Sequence, residues 1–256
     1  MTNYTKKLII DQTYPSPNHT ERHADILFLV LHYTVGNLKS SLTTLTTPST
    51  NVSSHYLIPD SPIDNQSKVY QLVQEDQRAW HSGLSHWKNN INLNDTSIGI
   101  EMVNLGYKND EKGNKIWYPF TDYQINCIIE LTKDIVKRYQ ILPTCVVGHS
   151  DIAPNRKLDP GPLFPWKILY ENGVGAWFDE AEVSISKNCK LPIDIKQLQT
   201  NLKTFGYNII VTAKIDDQTR NVLKAFQMHF RPSDYSGKPD AETVAILNSL
   251  IKKYFN

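Results

Sequence analysis

Apolar positions change their spacing several times along the chain, and each change marks an element. Ile26-Leu-Phe-Leu-Val-Leu31 is a run of six apolar residues, as expected of a short strand buried on both faces. Ile98-Gly-Ile-Glu-Met-Val103 alternates more and also reads as a strand. Cys145-Val-Val147, following Pro143, predicts a third, and Tyr56–Ile58 and Val69–Val73 carry weaker strand patterns. Thr121-Asp-Tyr-Gln124 has the spacing of a capping box. Behind it Ile125, Ile128, Ile129, Ile135, Val136 and Tyr139 recur at helical spacing, predicting one long amphipathic helix to about Tyr139 that feeds the Cys145 strand. Strands mixed with helices predict an α/β domain, a mixed central β-sheet flanked by helices.

Residues 151–166 hold Pro154, Pro160, Pro162 and Pro165, which predicts an ordered loop or a series of turns. Gly173 and Gly175 follow, and a boundary is expected between 178 and 190. This divides the chain into a larger unit, residues 1–183, and a smaller one, residues 184–256. The tail is helical from Ile193, with Ile195, Leu198, Leu202 and Phe205 on one face and Gly206 suited to a C-terminal cap. An internal echo follows: Lys214-Ile-Asp-Asp-Gln-Thr-Arg-Asn-Val-Leu223 matches Lys238-Pro-Asp-Ala-Glu-Thr-Val-Ala-Ile-Leu247 at Lys, Asp, Thr and Leu. In each copy the Asp can cap a helix, so the tail reads as a small three-helix bundle.

A length of 256 residues suits one domain plus a smaller module. With 40% hydrophobic and 21% charged residues the chain can build a sizeable core. The formal net charge of +1 disfavours a globally basic nucleic-acid binder. That balance hides a split: residues 1–183 carry 16 basic and 20 acidic groups, and residues 184–256 carry 11 and 6. A basic tail could approach an anionic polymer or dock onto the acidic unit. No apolar run nears the ~20 residues of a membrane span. The stretch Met1–Asp11 lacks the apolar core of a signal peptide, so the expected location is cytoplasmic, or periplasmic or exported if a signal was trimmed. Cys127, Cys145 and Cys189 form no C-x-x-C pair, which argues against a disulfide framework and a cysteine-rich metal site.

Two of the eight histidines have similar surroundings. His32 follows the Ile26–Leu31 run, and His149 follows Cys145-Val-Val-Gly148. Residues at strand ends are fixed by the sheet yet face the rim where open α/β sheets bind ligands. Asp159 lies ten residues beyond His149. Two imidazoles and a carboxylate would make a three-ligand zinc site with its fourth position open, the pattern of a catalytic zinc. Each histidine could equally be an ordinary surface or core residue. Glu101 stands in an apolar strand, where a carboxylate is costly unless paired or functional, and there it could act as a general base. Lys157 shares a face with Asp159 in an extended loop and could approach an oxyanion.

These residues fall in motifs that resemble the zinc-dependent N-acetylmuramoyl-L-alanine amidases of the type-2 amidase family, in the branch that includes the AmpD and AmiD enzymes. The motifs are Val30-Leu-His-Tyr-Thr34, Val52-Ser-Ser-His-Tyr-Leu-Ile58, Arg78-Ala-Trp-His-Ser-Gly83, Ser97-Ile-Gly-Ile-Glu-Met-Val-Asn104, Val147-Gly-His-Ser-Asp-Ile-Ala-Pro154 and Arg156-Lys-Leu-Asp-Pro-Gly-Pro162. Each is weak alone; six in the family's order over residues 20–180 are specific. The resemblance implies one Zn2+ held by His32, His149 and Asp159. It makes Glu101 the catalytic carboxylate and Lys157 the oxyanion stabiliser, with Tyr33, His55, Trp80 and His81 along the substrate groove. The tail resembles a three-helix peptidoglycan-binding module through Leu198-Gln-Thr-Asn-Leu-Lys-Thr-Phe-Gly-Tyr207 and Thr219…Ala225-Phe-Gln227. The usual Gly-rich turn before the Asp is here Asn208–Lys214, without glycine.

The implied reaction is hydrolysis of the amide joining the lactyl group of N-acetylmuramic acid to L-alanine of the stem peptide. The implied substrates are peptidoglycan or 1,6-anhydro-muropeptides, taken by a monomer. A non-catalytic peptidoglycan recognition protein on the same scaffold is the rival reading; such proteins typically lack a zinc ligand, and here every ligand position is filled. A stem-peptide peptidase lacks the support of an H-E-x-x-H helix.

Overall fold

The computed structural model describes residues 8–186 and 192–255. Its centre is a six-stranded sheet built from β1 (Ile9–Asp11), β2 (Phe28–Tyr33), β3 (Tyr56–Ile58), β4 (Lys68–Gln71), β5 (Ser97–Met102) and β6 (Val146–Gly148). The order is β1-β4-β3-β5-β2-β6, parallel throughout except where β4 meets β3. All six residues of β2 are buried, as its unbroken apolar run requires. The strand runs two residues beyond Leu31, so His32 lies inside it rather than after it. His149 opens a short helix directly behind β6.

The helices of the larger unit are α1 (Leu38–Thr46), α2 (Asp122–Tyr139), α3 (His149–Ile152), α4 (Trp166–Glu171) and α5 (Glu180–Ser186). The capping box of α2 forms in both directions between Thr121 and Gln124. The Gln124 side chain also donates to the Val103 carbonyl at 2.8 Å, fixing the helix against the end of β5. The proline-rich stretch after α3 is a chain of turns. Cys127 and Cys145 are buried free thiols, and Cys189 lies outside the described residues.

The tail contributes α6 (Ile195–Phe205), α7 (Asp217–Phe230) and α8 (Ala241–Phe255). Asp216 and Asp240 accept from the backbone N–H of Thr219 and Thr243, both at 2.9 Å, so the two echoed segments start helices by the same cap. The tail packs on the larger unit. Trp87 stands edge-on to Phe205 and Tyr207, with ring centres 6.0 and 4.8 Å apart. Gly206 ends α6 at φ +146°, and a Cβ there would lie 2.5 Å from the Trp87 ring. The residue pair 183/184 falls inside α5, which packs on α8.

Candidate active site

In parallel strands paired residues project to the same side, and β2 pairs with β5 so that His32 stands beside Glu101. β6 lies on the other flank of β2 and delivers His149 at its carboxyl end. The turns after α3 return the chain, and the Ser150 N–H donates to the Asp159 carbonyl at 2.8 Å. His32, His149 and Asp159 thereby meet at the carboxyl edge of the sheet, the rim where open α/β sheets bind ligands.

The three side chains are buried and converge on a single point. His32 Nδ1 lies 3.0 Å from His149 Nδ1 and 3.1 Å from Asp159 Oδ2, and His149 Nδ1 lies 3.0 Å from the same oxygen. The far nitrogens fix which atoms face inward. His149 Nε2 is 3.1 Å from the Ser82 carbonyl, which only accepts, so this nitrogen carries the hydrogen. His32 Nε2 is tied through a longer chain. Ser97 Oγ donates to the Leu93 carbonyl at 2.6 Å, so it accepts from His81 Nε2 at 3.1 Å. His81 Nδ1 is then left to accept from His32 Nε2 at 3.0 Å. Both ligand histidines thus turn an unprotonated Nδ1 toward Asp159. Burial, then His149, lowers the His32 pKa to about 4. Burial alone would raise that of Asp159, but a positive charge beside it, such as a protonated histidine, outweighs this and holds it well below the ordinary value, so the carboxylate stays ionised next to a cation. Three acceptors facing one another in a buried spot call for a cation, and two imidazoles with one carboxylate suit zinc.

Glu101 is partly covered, but its Oε2 is shielded from solvent and has no hydrogen-bond partner among the described residues. Burial, then Asp159, raises its pKa from 4.5 to about 8, against the opposing charge of Lys157. A groove of about 600 Å³ opens over these groups, lined by Tyr33, Trp80, His81, Tyr107, His149, Lys157 and Asp159 as well as Glu101. Tyr33 is pushed above its ordinary pKa by burial first and Asp159 second, so its hydroxyl stays protonated.

The groove therefore gathers every residue singled out from the sequence except His32 and His55; His32 lies just beneath its floor, its Nδ1 3.0 Å from His149 and 3.1 Å from Asp159. His55 is fully buried behind the site. Its Nδ1 accepts from the Gly99 N–H at 3.0 Å, and its Nε2 lies 3.1 Å from the Gln77 carbonyl, where a substrate would have to displace the sheet. It packs edge-on against His81, 5.7 Å between ring centres. Three residues that hold the ligands were not singled out. Ser82 and Ser97 lay within the quoted motifs as ordinary small polar residues, visible only once bonded. Gly99 makes room for His81, since a Cβ there would sit 2.5 Å from the imidazole; an isolated glycine in an apolar strand is its sequence signal.

The family described as N-acetylmuramoyl-L-alanine amidase matches residues 22–162, and a peptidoglycan-binding domain family matches residues 193–247. The chain is 46% identical over 234 residues to N-acetylmuramoyl-L-alanine amidase AmiD of Escherichia coli, covering 90% of this chain and 83% of that protein. The structure of E. coli AmiD with anhydro-N-acetylmuramic acid-L-Ala-D-gamma-Glu-L-Lys superimposes with a TM-score of 0.83 at 43% identity, covering 95% of this chain and 93% of that one. AmpDh3 of Pseudomonas aeruginosa in complex with anhydromuramic pentapeptide gives 0.80 at 40%, covering 99% and 98%.

Proposed function

The chain belongs to the N-acetylmuramoyl-L-alanine amidase family and cleaves the amide between N-acetylmuramic acid and L-alanine of the stem peptide; we propose that it does so with a zinc ion held by His32, His149 and Asp159, Glu101 as the proton carrier and Lys157 beside the oxyanion. The observation that carries this reading is the convergence of three buried acceptors, 3.0–3.1 Å apart, beside a carboxylate whose shielded Oε2 has no partner among the described residues. Zinc bound there supplies the Lewis acidity that polarises water and the scissile carbonyl, and its charge favours the ionised form of Glu101.

Glu101 takes one proton from the attacking water, whose oxygen bonds to the lactyl carbonyl carbon. The carbonyl π-electrons move onto oxygen, toward the Lys157 ammonium. When they return, the C–N bond breaks, and Glu101 gives its proton to the departing alanine nitrogen. The products are the muramic acid carboxyl group, which keeps the second water proton until it passes to the amine or to solvent, and the freed stem-peptide amine. Tyr33, Trp80 and His81 border the groove, and the anhydro-muropeptides bound in the structures of AmiD and AmpDh3 identify the ligand class we assign to it. Trp80 and Tyr107 give the groove aromatic side chains suited to a sugar ring. His55 acts from behind, through His81.

The test is mass spectrometry of the products from a purified anhydro-muropeptide alongside metal analysis of the protein. The expected result is intact stem peptide with about one zinc per chain, and with Glu101→Ala zinc without product. Shortened peptides, or full turnover by Glu101→Ala, would overturn the assignment.

A further inference from the structure

Asp151 sits two residues after His149 and is 1% exposed. Its carboxylate takes three hydrogen bonds, two of them from the tail. Oδ1 accepts from the Tyr207 hydroxyl at 2.6 Å. Oδ2 accepts from His229 Nδ1 at 2.8 Å and from the Gly148 N–H at 2.8 Å. The His229 ring is stacked 3.6 Å from Trp166, and Trp166 in turn closes on the space where a Gly148 Cβ would be, at 3.3 Å. The Tyr207 ring is locked against Trp87. The held segment carries both ends of the metal site: α3 begins with His149, and its Ser150 N–H grips the Asp159 carbonyl at 2.8 Å.

A buried carboxylate is a poor adhesive. Apolar residues of the same shape would join two units at least as firmly, because each buried charge must first shed its water. What a carboxylate with three donors adds is direction, since each hydrogen bond weakens steeply when bent. That carboxylate stands on α3, two residues from His149, whereas the other hydrogen bonds across the contact, such as Asp179 N–H to Ser249 and Trp117 Nε1 to Tyr235, reach other segments. We propose that Tyr207 and His229 of the C-terminal module are positioning residues for the amidase: they clamp Asp151, and through α3 set His149 and Asp159 for the metal. The module then completes the metal site, a task separate from binding cell wall. This inference rests on the zinc reading above.

The test compares single hydroxyl deletions in the full chain. Tyr207→Phe keeps the ring and removes the bond to Asp151. Tyr254→Phe removes a second hydroxyl from the same contact, one that accepts from the Trp177 N–H at 3.2 Å and has no bond to α3. His229→Phe keeps the stacking but not the donor. Zinc affinity by chelator competition is expected to fall about tenfold in Tyr207→Phe and His229→Phe. The visible spectrum of the cobalt(II) form is expected to shift, and amide exchange at Gly148 in the metal-free protein to accelerate. Tyr254→Phe is expected to match wild type in all three. Wild-type affinity, spectrum and exchange in the two Asp151-clamp variants would overturn the proposal, as would an equal loss in Tyr254→Phe. If wild type took up neither zinc nor cobalt, the zinc reading would fall first and this one with it.

Discussion

Replacing Glu101 by glutamine is expected to stabilise the metal-free protein while abolishing catalysis. The carboxylate is carried up from 4.5 to about 8 by burial and by Asp159, and its Oε2 has no partner to offset the lost water. Below the unfolded-state value both states hold the proton, and the wild type and the variant are alike. Between the two values the folded chain still holds a proton that the unfolded chain has released, so stability falls as pH rises, and the loss is complete above the folded-state value. At about 1.36 kcal/mol per pH unit that interval sets a ceiling of about 5 kcal/mol. Glutamine stays neutral throughout and carries none of this cost. Urea unfolding of chelator-treated wild type and Glu101→Gln would measure it. The difference is expected near zero at about pH 4 and a few kcal/mol in favour of the variant at about pH 9. With zinc restored, turnover is expected to fall about 10²–10⁴-fold with metal content unchanged. A variant no more stable than wild type at high pH, or a difference that does not grow with pH, would refute the burial argument.

His149→Ala is expected to lose both zinc and turnover, read by metal analysis and product release, because it removes one of three convergent acceptors. Lys157→Ala is expected to lower kcat about 100-fold with KM changed little, as for loss of one oxyanion donor; a rise in KM alone would assign Lys157 to ground-state binding. Gly99→Ala places a Cβ 2.5 Å from the His81 ring. It is expected to cost about 1–3 kcal/mol in urea unfolding and to weaken zinc in a chelator competition, since His81 holds the His32 tautomer.

The elements legible in the sequence were those whose periodicity is decided locally. The apolar run of β2 and the spacing of α2 reflect one face or two faces against the core, and the Asp-x-x-Thr caps of α7 and α8 are fixed within four residues. The ligand triad was suggested by His32, His149 and Asp159 but needed the motif order, since 127 residues separate the first from the last. What stayed invisible are groups whose role is a long-range bond. Ser82 and Ser97 are unremarkable until a histidine nitrogen meets them, and His229 and Tyr207 read as tail residues until Asp151 lies between them. His55 illustrates the converse: its motif placed it in the groove, while its hydrogen bonds to Gly99 and Gln77 hold it beneath.

The opposite charges of the two units, −4 and +5, suggest electrostatic docking, but the contact is held otherwise. An exposed ion pair across it, Lys252 to Glu182 at 2.9 Å, joins side chains 69% and 36% exposed; such pairs contribute about 0–1 kcal/mol and weaken with salt. Lys253 spends its ammonium on the Trp177 carbonyl at 3.0 Å. Against this stand the rings of Trp87 against Phe205 and Tyr207 and of Trp177 against Phe230, which meet across the contact and are nearly fully buried; burying such a ring is worth about 1.5–3 kcal/mol, shared between the contact and each unit's own core. Five such rings outweigh the exposed pair, so the module stays seated at high salt. The excess lysines of the tail are therefore not what attaches it. Lys196, Lys203, Lys214 and Lys238 are exposed on the same module whose Tyr207 and His229 clamp α3.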